Sequence, residues 1–429
     1  MLKNSKILDF DELIEINPEH LWIKFSAQER EAAWNQMVSQ NYQNDNATYR
    51  AFLNRLCLNT FLKWLEDEPE LRAKFQIPTP SDNLDNQWKF VNGIDFNFNS
   101  NSNLNPNSNS NHARLVLIPS EQSIANEFRI PQEWVDIPNW AGNYYLAVQL
   151  NLEENWLRIW GFISHEQVLK KAQYDSIDRT YCIENCDLIA DIDVVWIAGE
   201  ICPLHKPQTK SLASLSEVRA KAIIEDLSKT DAYSPRLHVS FAEWGAILAS
   251  PKYRSILYNQ RTKHWQVNLM DNTQKTVQNL SLWFENIFDG GFRPLDDLLS
   301  LNDTVACKFR SDSVLNEVYV KGAKLIDLGM QLESNTVALL IGLSPQVDNK
   351  VGIRVQLYPA SGETYLPDNI QLALLSESGT TLQSVESRSY DNYIQLKRFK
   401  LPLGKNFSIQ VACKEVKIKE DFVLEGLVC

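Results

Sequence analysis

The stretch from Asn143 to Ser164 reads NYYLAVQLNLEENWLRIWGFIS, and its alternation sets how the rest of the chain is read. Tyr145, Ala147 and Gln149 alternate with Leu146, Val148 and Leu150. The turn NLEEN follows, and Leu157, Ile159, Gly161 and Ile163 return along a second strand. This is a β-hairpin. Working outward, QWKFVNGIDFNF and ARLVLIPS upstream and RTYCI downstream read as further strands, with HEQVLKKAQYD as a short helix between them. So many strands in so short a span predict a small twisted β-sheet or barrel over residues 76–205.

Inside that segment lies NFNSNSNLNPNSNSN, with asparagine at every odd position from Asn97 to Asn111. Both faces of such a strand would be polar, so the tract is expected to be a loop, 97–111, inserted into a hairpin. Residues 1–75 read as a helical segment. Ser26 and Glu29 have the spacing of a capping box, and Phe52, Leu53, Leu56, Phe61, Trp64 and Leu65 form one stripe, with Thr48 as its expected N-cap. Residues 206–315 also read as helical, through LSEVRAKAIIEDLSK and SFAEWGAILASPKYRSILYNQRTK, and the Gly290-Gly291 pair marks a turn. From Ala323 to the C-terminus short apolar runs are split by Pro, Gly, Asn and Asp, as in TVALLIGLSP, KVGIRVQLYPA and KNFSIQVACK. A C-terminal β-sandwich over 323–429 is expected. The fold class predicted is therefore α+β and multidomain.

The 429 residues carry a formal charge of −12, which disfavours a general polyanion binder. No apolar run approaches the roughly 18 residues of a membrane span, and MLKNSKILDFDELIE lacks a signal-peptide core. Seven cysteines without a regular framework fit reduced thiols, so a cytoplasmic protein with no membrane insertion is expected.

One stretch offers metal chemistry. YCIENCDLIADIDVVWIAGEICPLH places Cys182 and Cys186 before Cys202 and His205. Zinc needs four converging ligands. Yet Leu188, Ile189, Ile192, Val195, Trp196, Gly199 and Cys202 follow a helical rhythm, which would hold Cys186 and Cys202 about 24 Å apart. No metal, cofactor or catalytic residue is therefore assigned; only a chain break at Asp191-Ile192-Asp193 would bring the pairs together. Asp191 and Asp193 are expected to be solvated on that helix.

A second stretch, KYRSILYNQRTKHWQ from Lys252 to Gln266, mixes Lys252, Arg254, Arg261 and Lys263 with Tyr253, Tyr258 and Trp265. Such a mixture can clamp phosphates and stack bases. The plainer reading is an amphipathic helix with solvated cations, so nucleic acid is not the expected partner.

The chain resembles a family of uncharacterised, mainly cyanobacterial proteins, known as domain of unknown function 1822. The resemblance rests on LCLNTFLKWLE, on IPQEWVDIPNWAGNYYLAVQLNLEENWLRIWGFISHEQV with YDSIDRTYCI, and on PRLHVSFAEWGAILASPKYRSILYNQR. LIDLGMQL and TYLPDNIQLALLSESG through DNYIQLK agree as well. Cys182 and Cys186 are not part of the pattern, and the resemblance implies no activity, cofactor or catalytic residue. The function expected is a non-catalytic protein-interaction or regulatory role with an unidentified protein partner. Two alternatives stand beside it: a hydrolase or nuclease built from dispersed carboxylates, and a nucleic-acid-binding regulator using residues 252–266.

Overall fold

A computed structural model describes residues 10–40, 45–73, 75–76, 88, 90–99, 112–121, 127–201, 206–212, 214–229, 235–270, 277–295, 320–327, 336–346, 350–360, 364–413 and 416–425. Helices and several sheets share the chain, which makes the class α+β.

The hairpin lies at the centre of the first half. Strand β6 (Tyr144–Asn151) pairs antiparallel with β7 (Trp156–Ser164), Tyr145 standing opposite Ile163 and Leu150 opposite Leu157. Its turn closes because the Asn151 side chain accepts the N–H groups of Glu153 and Glu154 at 3.0 and 2.8 Å. Asn155 then takes the left-handed conformation (φ 60°) that asparagine tolerates. The sheet grows from this hairpin in the order β1-β7-β6-β4-β3-β2. The remaining members are β1 (Leu21–Lys24), β2 (Phe75–Gln76), β3 (Ile94–Asn99) and β4 (His112–Ser120). The β4–β6 pairing is parallel and the others are antiparallel. β3 and β4 form the expected hairpin, Asn99 opposite His112. Residues 97–99, expected to open the Asn-rich loop, instead end β3, where pairing with β4 satisfies their backbone; the rest of the tract, 100–111, lies outside the described residues.

The alternation in the hairpin has a partner on each face. Leu146, Val148, Leu157 and Ile159 enter one core with Leu53, Leu56 and Phe61 of the helix Asp45–Glu66. Tyr145, Ala147, Trp160 and Ile163 enter a second core with Ile223, Trp244 and Leu257, from the helices Glu217–Lys229, Phe241–Ala249 and Pro251–Met270. Neither strand face is left to solvent.

Three expectations about the helical regions need correction. Residues 1–75 are not helical throughout: Leu21–Lys24 forms β1 on the edge of the sheet, Leu21 opposite Ile159. The capping box is present, with Ser26 N donating to Glu29 Oε2 at 2.7 Å. Thr48 is not the N-cap, because the helix already begins at Asp45. The helical rhythm from Leu188 to Cys202 does not form one helix either. Ile189 instead exchanges backbone hydrogen bonds with Phe162 of β7, and the helix starts at Asp193. Sheet pairing outweighs helix propensity there, since Gly161 lets Leu188 approach the strand.

The segment 206–315 also contributes strands. β10 (Val277–Asn279) runs parallel to β20 (Val416–Val423), and β11 (Arg293–Pro294) pairs with β12 (Val320–Asp327). Two sheets follow. One has the order β10-β20-β19-β15-β16, using β15 (Gln371–Ser376), β16 (Thr381–Glu386) and β19 (Asn406–Cys413). The other has the order β11-β12-β13-β14-β17, using β13 (Thr336–Gln346), β14 (Lys350–Pro359) and β17 (Ile394–Gln395), with β18 (Phe399–Pro402) also on β14. Leu339 and Ile341 from one sheet and Leu372 and Ile409 from the other join the same apolar core as the 45–66 helix. Trp283 locks this junction: a Cβ at Gly322 would overlap its ring.

Candidate functional site

The polar centre of the first half forms where β5 (Glu127–Pro131) pairs with β9 (Thr180–Glu184), which in turn pairs with β8 (Gln173–Asp175). The short helix Gln132–Asp136 leaves β5 and places Glu133 fully inside. Arg236 grips Glu133 with both ends of its guanidinium, Nε to Oε1 at 2.9 Å and Nη2 to Oε2 at 2.8 Å. Trp244 Nε1 donates to Oε1 at 2.8 Å. Burial alone would push the Glu133 carboxyl up, but Arg236 and Trp244 hold it below its usual range.

A few residues away, Arg129 Nη1 lies 3.0 Å from Asp178 Oδ2 and 3.2 Å from Asp175 Oδ2. Thr180 Oγ1 donates to Asp178 Oδ1 at 2.6 Å. Burial pushes the Asp178 carboxyl up to about 7, against the pull of Arg129. A carboxyl in that range suits acid–base work. However, Asp178 is 2% exposed and both its oxygens are held by neighbours. The cavity beside Arg129, lined by Ile118, Ser120, Glu127, Phe128, Val148 and Trp160, has a volume of about 10 Å³. That is room for about one water molecule. Chemically, the centre can pin three strands and two helical segments together. Sequence reading missed it; the cluster Asp175-Ser-Ile-Asp178-Arg179 opposite Glu127-Phe-Arg129 was the available signal.

The residues singled out in the sequence are placed apart. Cys182 lies on β9, where burial raises its thiol above the usual range, and Cys186 is exposed in a 3-10 turn. Cys202 and His205 fall outside the described residues. Among the described residues, no group of three or more His, Cys, Asp or Glu converges as a metal cluster. Asp191 and Asp193 are both exposed, as expected, but Asp191 precedes the helix Asp193–Ile201, and its Oδ1 accepts the N–H of Asp193 at 2.9 Å. In the basic stretch, Arg254 and Arg261 are buried and donate to the carbonyls of Leu248 and Leu227. Tyr253 and Tyr258 pack against the second core. Lys252 is exposed, 3.8 Å from Glu217. The side chains of Lys263 and Trp265 fall outside the described residues. Arg254 and Arg261 are therefore neither the solvated cations expected of an amphipathic helix nor open to phosphates: both face inward.

A cluster of exposed tyrosines lies in the C-terminal half. Residues 364–370 lead into β15 and residues 387–393 leave β16, and the two loops brace each other. Leu366 N donates to Asp391 O at 2.7 Å and Ser387 N to Ile370 O at 2.9 Å. Ser389 Oγ donates to Asp368 Oδ2 at 3.0 Å, and Arg388 N to Asp391 Oδ2 at 2.8 Å. This frame presents Tyr365, Tyr390 and Tyr393, which are 44%, 76% and 43% exposed. Tyr365 and Tyr390 meet edge to face at 5.4 Å, and Tyr393 stacks on the buried Tyr358 at 5.2 Å. Tyr390 adopts a left-handed backbone, φ 77°. A bulky residue is an outlier there.

The comparisons with known proteins bear on both halves. A family model described as a protein of unknown function (DUF1822) matches residues 23–423, from β1 to the last residue of β20. The chain belongs to that family. Because the match runs through both the mixed sheet and the C-terminal sheets, the DUF1822 unit comprises the ionic centre and the tyrosine loops together. No curated protein matches the chain. Among the described residues, no helix is long and apolar enough to cross a membrane.

Proposed function

We propose that this DUF1822 protein is a non-catalytic, cytoplasmic protein that works by binding another protein. In this reading its two C-terminal sheets form a β-sandwich, and the paired loops 364–370 and 387–393 carry the contact. The observation that carries it is Tyr390. Its ring is the most exposed of the three tyrosines, and its backbone holds a conformation costing about 1–2 kcal/mol for a residue other than glycine. A cost kept at a solvent-facing aromatic residue supports a binding role. Tyrosine also gives large contact area for little side-chain entropy, and the hydrogen bonds between the loops fix the rings beforehand.

The enzyme reading would draw on Asp178. Its sealed position argues for structure, since a substrate must reach the proton it gives or takes.

The test uses the full-length chain, tagged in its native cell, against the same chain with Tyr365, Tyr390 and Tyr393 all changed to serine. The expected result is loss of a partner retained by the parent, with circular dichroism and melting unchanged. If the triple variant keeps the same partner, the contact lies elsewhere on the chain.

A further inference from the structure

We propose that the seam beside His238 binds a small oxyanion of the phosphate class, held by Arg179 and Arg293. The proposal is independent of the tyrosine contact and begins with an imbalance of charge.

Besides Arg261, which donates to the carbonyl of Leu227, four cationic side chains gather around the turn from Arg236 to Val239. Two are neutralised in place: Arg236 by Glu133 at 2.8 Å, and Lys324 by Glu420 at 2.5 Å. Among the described residues the other two hydrogen-bond to carbonyls only, and Glu133, already engaged by Arg236, attracts Arg179 from a distance. Arg179 donates to the carbonyls of Arg236 and Val239, and Arg293 makes a long 3.4 Å bond to the carbonyl of His238. Among the described residues, neither has a carboxylate within ion-pair distance. Taking a cation out of water is costly unless a counter-charge accompanies it. Arg179 carries a second cost, a left-handed backbone at φ 56°. Burial, then the nearby Arg236, lowers its guanidinium to about 10.

The site's chemistry fits an oxyanion. A guanidinium carries five N–H donors in a planar fork that matches phosphate oxygens. Two are engaged on Arg179 and one on Arg293, so both retain donors. Burial, then Lys324 and Arg293, hold the His238 ring neutral down to about pH 3, leaving an uncharged hydrogen-bonding group between the cations. Arg179, His238 and Arg293 are each partly exposed, so a solute can reach them. It has to be small. The Gly290-Gly291 turn packs so closely on Gln278 and His238 that even an added Cβ would overlap them.

The test is a thermal-shift and calorimetric titration of the full-length protein with inorganic phosphate, ionic strength being held constant with sodium chloride. A saturable rise in melting temperature is expected, as for any ligand that binds the folded state alone. Arg293→Gln should weaken binding about tenfold or more, because it removes one charged fork. A parallel titration with adenosine monophosphate separates the sources. Tighter binding than phosphate would assign the site to a phosphomonoester, and equal or weaker binding to the free ion. Arg179→Gln is a harsher variant; if it does not fold, Arg293→Gln carries the test. No saturable response to either probe, or an Arg293→Gln protein that responds like the parent, would overturn the proposal.

Discussion

Around β5, β8 and β9 the protein buries Arg129, Glu133, Asp178 and Arg236 in one hydrogen-bonded network. The sheets from β12 to β20 fill most of their interior with Leu, Ile, Val and Phe, with Arg354 and Gln356 of β14 and the Lys324–Glu420 pair among the buried polar exceptions. The first region is specified by directional contacts, which tolerate few substitutes. The second is specified by strand alternation, which accepts any apolar side chain of similar volume. The regions therefore differ less in how much they bury than in what a small change costs.

Glu133→Ala should show the largest effect. It strands the Arg236 guanidinium and the Trp244 N–H in the interior, at a cost of about 3–5 kcal/mol in urea unfolding. A loss below about 1 kcal/mol would mean the network is dispensable, and the contrast would collapse. On the other side, Leu357→Ala should cost about 2–5 kcal/mol by opening a cavity, while Leu357→Met should cost under about 1.5 kcal/mol. The comparison sharpens if Glu133→Gln, equally conservative in shape, proves far more damaging than Leu357→Met.

His238 offers an intermediate test through pH. Its folded pKa of about 3 lies below the unfolded 6.5, so the unfolded chain binds more protons between those values. Its contribution is fully present above about pH 6.5 and is lost as pH falls toward 3. His238→Gln lacks that titration. The stability difference between parent and variant should therefore change progressively from pH 7 to pH 4, the parent losing ground. Parallel curves would place the ring in water.

The smallest effect is expected at Tyr390. Replacement by glycine relieves the left-handed backbone but adds unfolded-state entropy, so stability should rise by no more than about 1 kcal/mol. Partner binding should fall at the same time, a trade typical of residues kept for function. A destabilised Tyr390→Gly protein would show that the ring is part of the loop's own packing.

These contrasts explain what could be read from the sequence. The capping box at Ser26 and Glu29, the Asn143–Ser164 hairpin and the β13 and β14 runs were legible because each has a local period or motif. LWIK at 21–24 was not, since four residues beside helical text carry too little period to declare a strand. Nor could charge alone reveal that Arg254 and Arg261 turn inward, because their carbonyl partners come from the ends of other helices. The Glu133–Arg236 pair was equally hidden, its members being far apart in the chain. The tyrosine loops stood in quoted family-like text, but strand pairing was needed to bring the two together.

The pairing of β1 with β7 also has a temporal meaning. Leu21 is synthesised long before Ile159, its opposite number, and a ribosome adds about 5–20 residues per second. The first strand therefore waits on the order of ten seconds for the edge it must join. During that interval the helix Ala27–Ser39, with its local cap, can already form. Arg30 of that helix later fastens to Leu152 and Asn155, in the hairpin turn, on the same visit that seats β1. Docking of β1 therefore has to wait until the hairpin emerges.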